Sequence, residues 1–96
     1  MFLLLLSSPL ISLSTSLVGI GEHAPIEWLS SADMKRVCEV NLWGAINVTK
    51  IMMPFVKTEG GRIVNVSSVM GRVPFAHFVS YCMSKHALEA FSDCLR

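Results

Sequence analysis

Between residues 34 and 53 apolar side chains recur at three- and four-residue steps: Met34, Val37, Cys38, Leu42, Ala45, Ile46 and Met53, with Thr49 among them. That period lays them on one broad helical face. Ser30 followed by Asp33 has capping-box spacing, in which the serine accepts from an exposed backbone N–H and the acid reaches back, so the helix is expected to begin near Ser31. Asn41 and Gly44 fall inside the run and have modest or poor helix propensity, so a local irregularity is expected there. Pro54, and then Thr58-Glu59-Gly60-Gly61, are expected to end the helix and turn the chain.

The pattern then changes. Ile63, Val64 and Val66 form a short apolar run of the kind found in a central parallel strand with neighbours on both sides. A loop from Val69 to Val79 follows, and its apolar members are expected beside Ser68 and Tyr81, at the strand's carboxyl end where open α/β sheets bind ligands. Those side chains either form an apolar substrate wall or seal the core. From Tyr81 to Arg96 the spacing is helical again, with Ser80 as the expected cap. Met83, Ala87, Leu88, Ala90, Phe91, Cys94 and Leu95 give that helix an extensive apolar surface, part for the sheet and part for another subunit.

Residues 1–21 carry no charged side chain, and Phe2 to Leu6 with Leu10-Ile11 has the look of a signal-peptide hydrophobic region. No Lys or Arg opens it, and Pro9 and several serines break it, so it is too short and interrupted to read as a membrane span. Residues 1–19 are therefore expected to be a hydrophobic leader or an unrelated, spliced segment, with Leu17 to Ile20 readable as a vestigial strand. Residues 20–96 form the second region.

Composition narrows the function. In 96 residues the formal net charge is +1, with 16% charged and 52% apolar residues, so there is no basic footprint for nucleic acid. Cys38, Cys82 and Cys94 are odd in number and form no Cys-x-x-Cys pair, so they are expected to be buried small apolar residues in a reducing compartment. His23, His77 and His86 lack metal-ligand spacing. Ser68 has no Gly-x-Ser-x-Gly elbow and no acid–His pair, which argues against a serine hydrolase.

What remains is Ser68 at a strand end, with Tyr81 and Lys85 one helical turn apart. A free phenol, with a pKa of about 10, is a poor proton acceptor at neutral pH, and each unit of depression needs roughly 1.4 kcal/mol. A neighbouring ammonium supplies part of that, more so where solvent is excluded. Tyr81 is thus expected to be a general acid/base for an alcohol or carbonyl, tuned by Lys85, with Ser68 hydrogen-bonding the substrate oxygen.

Asn41-x-x-Gly44, Gly61-Arg62-Ile-Val-Asn-Val-Ser67-Ser68 and Tyr81-x-x-Ser84-Lys85 together resemble the short-chain dehydrogenase/reductases over about Ile20 to Arg96. The resemblance implies that Tyr81 is the catalytic acid/base, Ser68 polarises the substrate, Lys85 also contacts the nicotinamide ribose of NAD or NADP beside Tyr81, and Asn41 supports a proton-relay water from a helix kink. It also implies an α/β fold, a partial Rossmann-like doubly wound parallel sheet. Glu39-Val-Asn-Leu-Trp-Gly44 and Glu89-Ala-Phe-Ser-Asp-Cys-Leu-Arg96 look most like the retinol, hydroxysteroid and 3-hydroxybutyrate dehydrogenase branch. Such a protein is expected to act on a small apolar alcohol or its carbonyl, to be a homo-oligomer, and to be intracellular with membrane association at the endoplasmic reticulum or mitochondrion, with secretion behind the residue 1–16 leader as the alternative.

The family's Gly-rich phosphate-binding turn, its Asn-Asn-Ala-Gly strand end and its later Pro-Gly segment do not occur in these residues. The catalytic half without the cofactor-binding half suggests a fragment of a longer oxidoreductase. The alternative expectation is a catalytically silent truncated chain that associates with full-length relatives or is unstable.

Overall fold

The computed structural model describes residues 2–6, 14–17 and 19–96, with side chains from residue 19 onward. The described elements are β1 (Phe2–Leu6), β2 (Ser14–Leu17), α1 (Ser31–Cys38), α2 (Gly44–Glu59), β3 (Arg62–Val66) and α3 (Val79–Cys94). Helix α1 starts where the cap predicts: Ser30 Oγ accepts from the Asp33 N–H at 3.0 Å. The Asp33 carboxylate does not reach the Ser30 backbone; it accepts from the Ser30 hydroxyl instead.

The expected irregularity is a π-helical turn over Glu39–Trp43, in which the Gly44 N–H donates to the Glu39 carbonyl. One residue is thereby wound into the turn, which rotates Asn41 into a fully buried position. Pro54 does not end α2. The helix runs through it to Glu59, and Thr58 Oγ1 bonds the Pro54 carbonyl at 2.9 Å. Gly60, at φ 63°, supplies the left-handed cap that stops it.

Strand β3 forms where the apolar run predicts, but its partner and direction differ from expectation. The sheet order is β2-β1-β3, and both pairings are antiparallel, with Phe2 opposite Val66 and Leu6 opposite Arg62. An apolar run carries no direction of its own. A parallel neighbour requires a long crossover, whereas an antiparallel strand needs only an extended segment that meets the open edge. Nor is β3 buried on both faces: Ile63 and Asn65 are half-buried, while Arg62, Val64 and Val66 are exposed. Asn65 Nδ2 donates to Ser92 Oγ on α3 at 2.9 Å, tying the covered face to the helix that carries Tyr81.

Helix α3 begins at Val79, two residues earlier than a Ser80 cap would place it. Phe78 occupies the cap position with no side-chain bond. Ser80 is instead fully buried in the first turn, its hydroxyl without a partner among the described residues. The buried face of α3 is mostly small and polar, Ser80, Cys82, Ser84 and Lys85 with Leu88, while Met83, Ala90, Cys94 and Leu95 are exposed. The three cysteines therefore do not behave alike. Cys82 is buried, Cys38 is half-buried with its thiol pKa pushed up by desolvation, and Cys94 is exposed.

Candidate active site

Asn41 is the joint of the site. Its Oδ1 accepts from the Ile20 N–H at 2.9 Å and its Nδ2 donates to the Ile20 carbonyl at 2.7 Å, so the side chain grips one backbone residue from both sides. Nδ2 also donates to Ser84 Oγ at 3.1 Å, and Ser84 Oγ in turn donates to the Tyr81 carbonyl at 2.8 Å. The chain of bonds fixes Ile20, the π-turn and the first turn of α3 to one another. The Asn41 and Ser84 side chains at its centre are fully buried, so breaking the bond between them leaves a costly unpaired partner. The next residue, Gly21, lies against the Tyr81 ring: a Cβ there would come within 3.2 Å of Tyr81 Cδ2.

Ser68 enters from the other side. It is extended, at φ −157°, and its Oγ accepts from the Met70 N–H at 3.2 Å, capping the short turn Val69–Gly71. That turn rests on α3, where Ser67 Oγ donates to the Lys85 carbonyl at 3.4 Å and Arg72 pairs with Glu89 at 2.8 Å. Ser68 and Tyr81 thereby line one open cavity of about 330 Å³, together with Gly21, Glu22, His23, Met70 and Phe78. Of the loop predicted as an apolar wall, Met70 and Phe78 reach this cavity. Val69, Val73 and Phe75 are exposed, so they do not seal a core.

Lys85 stands against Tyr81 without lining the cavity. Its Nζ is 5.6 Å from the Tyr81 ring centroid, within reach of a cation–π attraction. The residue is 3% exposed and has no carboxylate within ion-pair distance among the described residues. Desolvation lowers the pKa of its ammonium, because burial disfavours the charged form. Of the four residues singled out by sequence, the fold thus brings Ser68 and Tyr81 to one cavity and places Lys85 beside Tyr81. Asn41 lies outside the lining, bonded to the two segments that frame it. Gly21, Glu22 and His23 were not foreseen, since residues 19–30 carry no periodicity and reach the site through the Asn41 clasp and the Ala24 N–H bond to the His77 carbonyl.

The chain is similar to known proteins in sequence and in fold. The family described as short chain dehydrogenase matches residues 15–96. Mitochondrial D-beta-hydroxybutyrate dehydrogenase of Bos taurus is 46% identical over 78 residues, covering 81% of this chain and 23% of that protein. Human 17-beta-hydroxysteroid dehydrogenase type 6 is 55% identical over 71 residues, covering 73% of this chain and 22% of that protein. Retinol dehydrogenase 16 of Mus musculus is 53% identical over 72 residues, covering 75% and 22% respectively. A solved structure of 4-hydroxyisoleucine dehydrogenase complexed with NADH and succinate superposes with a TM-score of 0.78 at 30% identity, covering 82% of this chain and 35% of that one. The chain spans about a quarter of the length of the curated relatives it matches. The pairing with β1 aside, its α/β core is the partial Rossmann-like fold of these dehydrogenases. With its family match running from residue 15 through the Tyr81–Lys85 helix to residue 96, the chain belongs to the short-chain dehydrogenase family.

Proposed function

We propose that this chain is the catalytic segment of a nicotinamide-dependent oxidoreductase that interconverts an apolar alcohol and its carbonyl. The observation that carries it is the convergence of Ser68 and Tyr81 on one cavity, with the buried Lys85 ammonium against the tyrosine. The Tyr81 hydroxyl exchanges a proton with the substrate oxygen, taking it in alcohol oxidation and returning it in carbonyl reduction. Lys85 favours the negative charge that builds on the phenol oxygen as its proton leaves. Because Ser68 Oγ already accepts from Met70, its own proton is free to be donated to the substrate oxygen. Asn41 keeps the Gly21 segment and Tyr81 in place. A relay water beside it belongs to the same proposal.

The residues present fit the nicotinamide-ribose end of an NAD or NADP molecule: a buried, carboxylate-free ammonium beside a cavity-lining tyrosine suits a ribose hydroxyl. When bound, the cofactor accepts or supplies the hydride. Met70 and Phe78 give the cavity apolar surface, which suits a retinoid, a steroid or a short hydroxy acid, the classes named by its relatives. One of those relatives is named as mitochondrial, which supports an intracellular site; a place at the endoplasmic reticulum and membrane association are further parts of the proposal. No described helix is long and apolar enough to cross a membrane. Residues 1–19 belong to the proposal as a leader or separate segment preceding the region 20–96, with β1 lying against β3. The test is whether the full-length protein reduces NAD or NADP when offered apolar primary or secondary alcohols, read from the absorbance of the reduced nicotinamide. Absence of reduction across retinoid, steroid and hydroxy-acid panels contradicts the assignment.

A second reading has its own support. Trp28 before α1, Trp43 in the π-turn, Ile51 and Phe55 on α2 and Met83 on α3 are all exposed. Such surface suits homo-oligomer contacts in a complete enzyme. It equally suits a silent short chain that acts by associating with full-length relatives.

A further inference from the structure

The turn that follows β3 carries an ion pair that the proton chemistry does not use. Ser68 lies just beyond the end of β3 and is bonded into this turn twice: its carbonyl accepts from the Gly71 N–H at 2.9 Å and its Oγ from the Met70 N–H at 3.2 Å. Wherever the turn sits, Ser68 sits with it. Arg72 closes the turn, its N–H donating to the Val69 carbonyl, and its side chain places two donors on one oxygen of Glu89, Nε at 3.0 Å and Nη2 at 2.8 Å. Glu89 stands on α3 one helical turn after Lys85, so the helix that presents Tyr81 and its ammonium also anchors the turn that carries Ser68.

The other ties between this turn and α3 are weaker. Ser67 Oγ reaches the Lys85 carbonyl at 3.4 Å, and Gly71 lies close to the helix, where a Cβ would come within 3.1 Å of Glu89 Cγ and of the Lys85 carbonyl. Close packing stops the turn from moving inward but not from lifting away, and the ion pair opposes that lift. Arg72 is exposed and Glu89 half-buried, so the pair adds little to global stability while its charge-assisted bonds fix a local geometry. We propose that Arg72 and Glu89 are positioning residues whose ion pair sets where Ser68 stands relative to Tyr81. This deepens the oxidoreductase reading and rests on it. With the pair broken, the turn rises from α3 and Ser68 Oγ draws back from the substrate oxygen, although Ser68, Tyr81 and Lys85 are all still present.

The test uses the full-length protein with Arg72→Ala and with Glu89→Ala, the second of which leaves the sequence of the turn untouched. Each is expected to lower kcat about tenfold, with the KM for the nicotinamide and the urea midpoint close to those of the parent protein. The double variant is expected to lose no more than either single one, because the two side chains act as a unit. In a Ser68→Ala background the same substitutions are expected to change kcat by about twofold or less. Independently of turnover, exchange of the Met70 and Gly71 amide protons is expected to quicken about tenfold in Glu89→Ala, with the α3 amides no faster. Arg72→Met, which keeps an apolar stem, serves as the second variant if an alanine protein does not fold. Unchanged kcat in the pair variants, an equal loss in the Ser68→Ala background, or unaltered exchange at Met70 and Gly71 overturns the proposal. Quickened exchange in a protein whose parent turns over no alcohol upholds the clamp on Ser68 and removes the oxidoreductase reading.

Discussion

Lys85 is the residue whose burial has the widest consequence. Its ammonium is desolvated beside Tyr81, so its folded-state pKa lies below the unfolded one. Between the lowered value and the ordinary lysine value of about 10.4, the unfolded chain binds more protons, and stability therefore rises with pH through that window. Urea unfolding of the full-length protein without cofactor should show this slope, and Lys85→Met should flatten it; equal slopes would mean that the ammonium is not buried. Ser68, Tyr81 and Lys85 could be read from the sequence because a strand end and one helical turn fix where their side chains go. Glu22 could not. A single acid in an aperiodic stretch looks like a solvated turn, and long-range ties bring it to the cavity: the clasp of Ile20 by Asn41, twenty-one positions away, and the bond from the Ala24 N–H to the His77 carbonyl.

At the scale of elements, the position of Ser68 depends on how closely the turn after it approaches α3. Gly71 is buried there, and a Cβ would stand 2.5 Å from Ser67 Oγ and 3.1 Å from the Lys85 carbonyl. Gly71→Ala should therefore push the turn off α3, cost about 1–3 kcal/mol, and lower turnover through displacement of Ser68. Unchanged denaturation midpoint and activity would mean that the turn gives way freely. The elements were legible in different degrees. The cap at Ser30 and the irregularity at Asn41 follow from local chemistry, and both appear where their residues stand. The direction of the sheet does not follow from local chemistry, because Ile63, Val64 and Val66 suit either direction and the partner decides. The start of α3 slipped by two residues for a similar reason. Ser80 lies under the helix, where burial overrides its capping preference.

Across the whole molecule, little apolar surface is fully covered. Val37, Ala45, Cys82 and Leu88 are the fully buried apolar residues among those described. The radius of gyration is 14.7 Å and the extents are 50 × 23 × 20 Å, where a compact chain of this length would have a radius of about 12.5 Å. The isolated 96-residue chain is therefore expected to self-associate, or to melt broadly, in sedimentation and calorimetry. A monomer with a sharp cooperative melt would show that these residues suffice for a stable fold.

The central claim is that Tyr81 moves the substrate proton, and the most direct measurement is Tyr81→Phe in the full-length protein, with turnover and cofactor affinity read side by side. The phenyl ring keeps the packing against Gly21 and the face presented to Lys85, so folding and cofactor affinity should hold while turnover falls by about a hundredfold or more. Retention of most of the turnover would contradict the account.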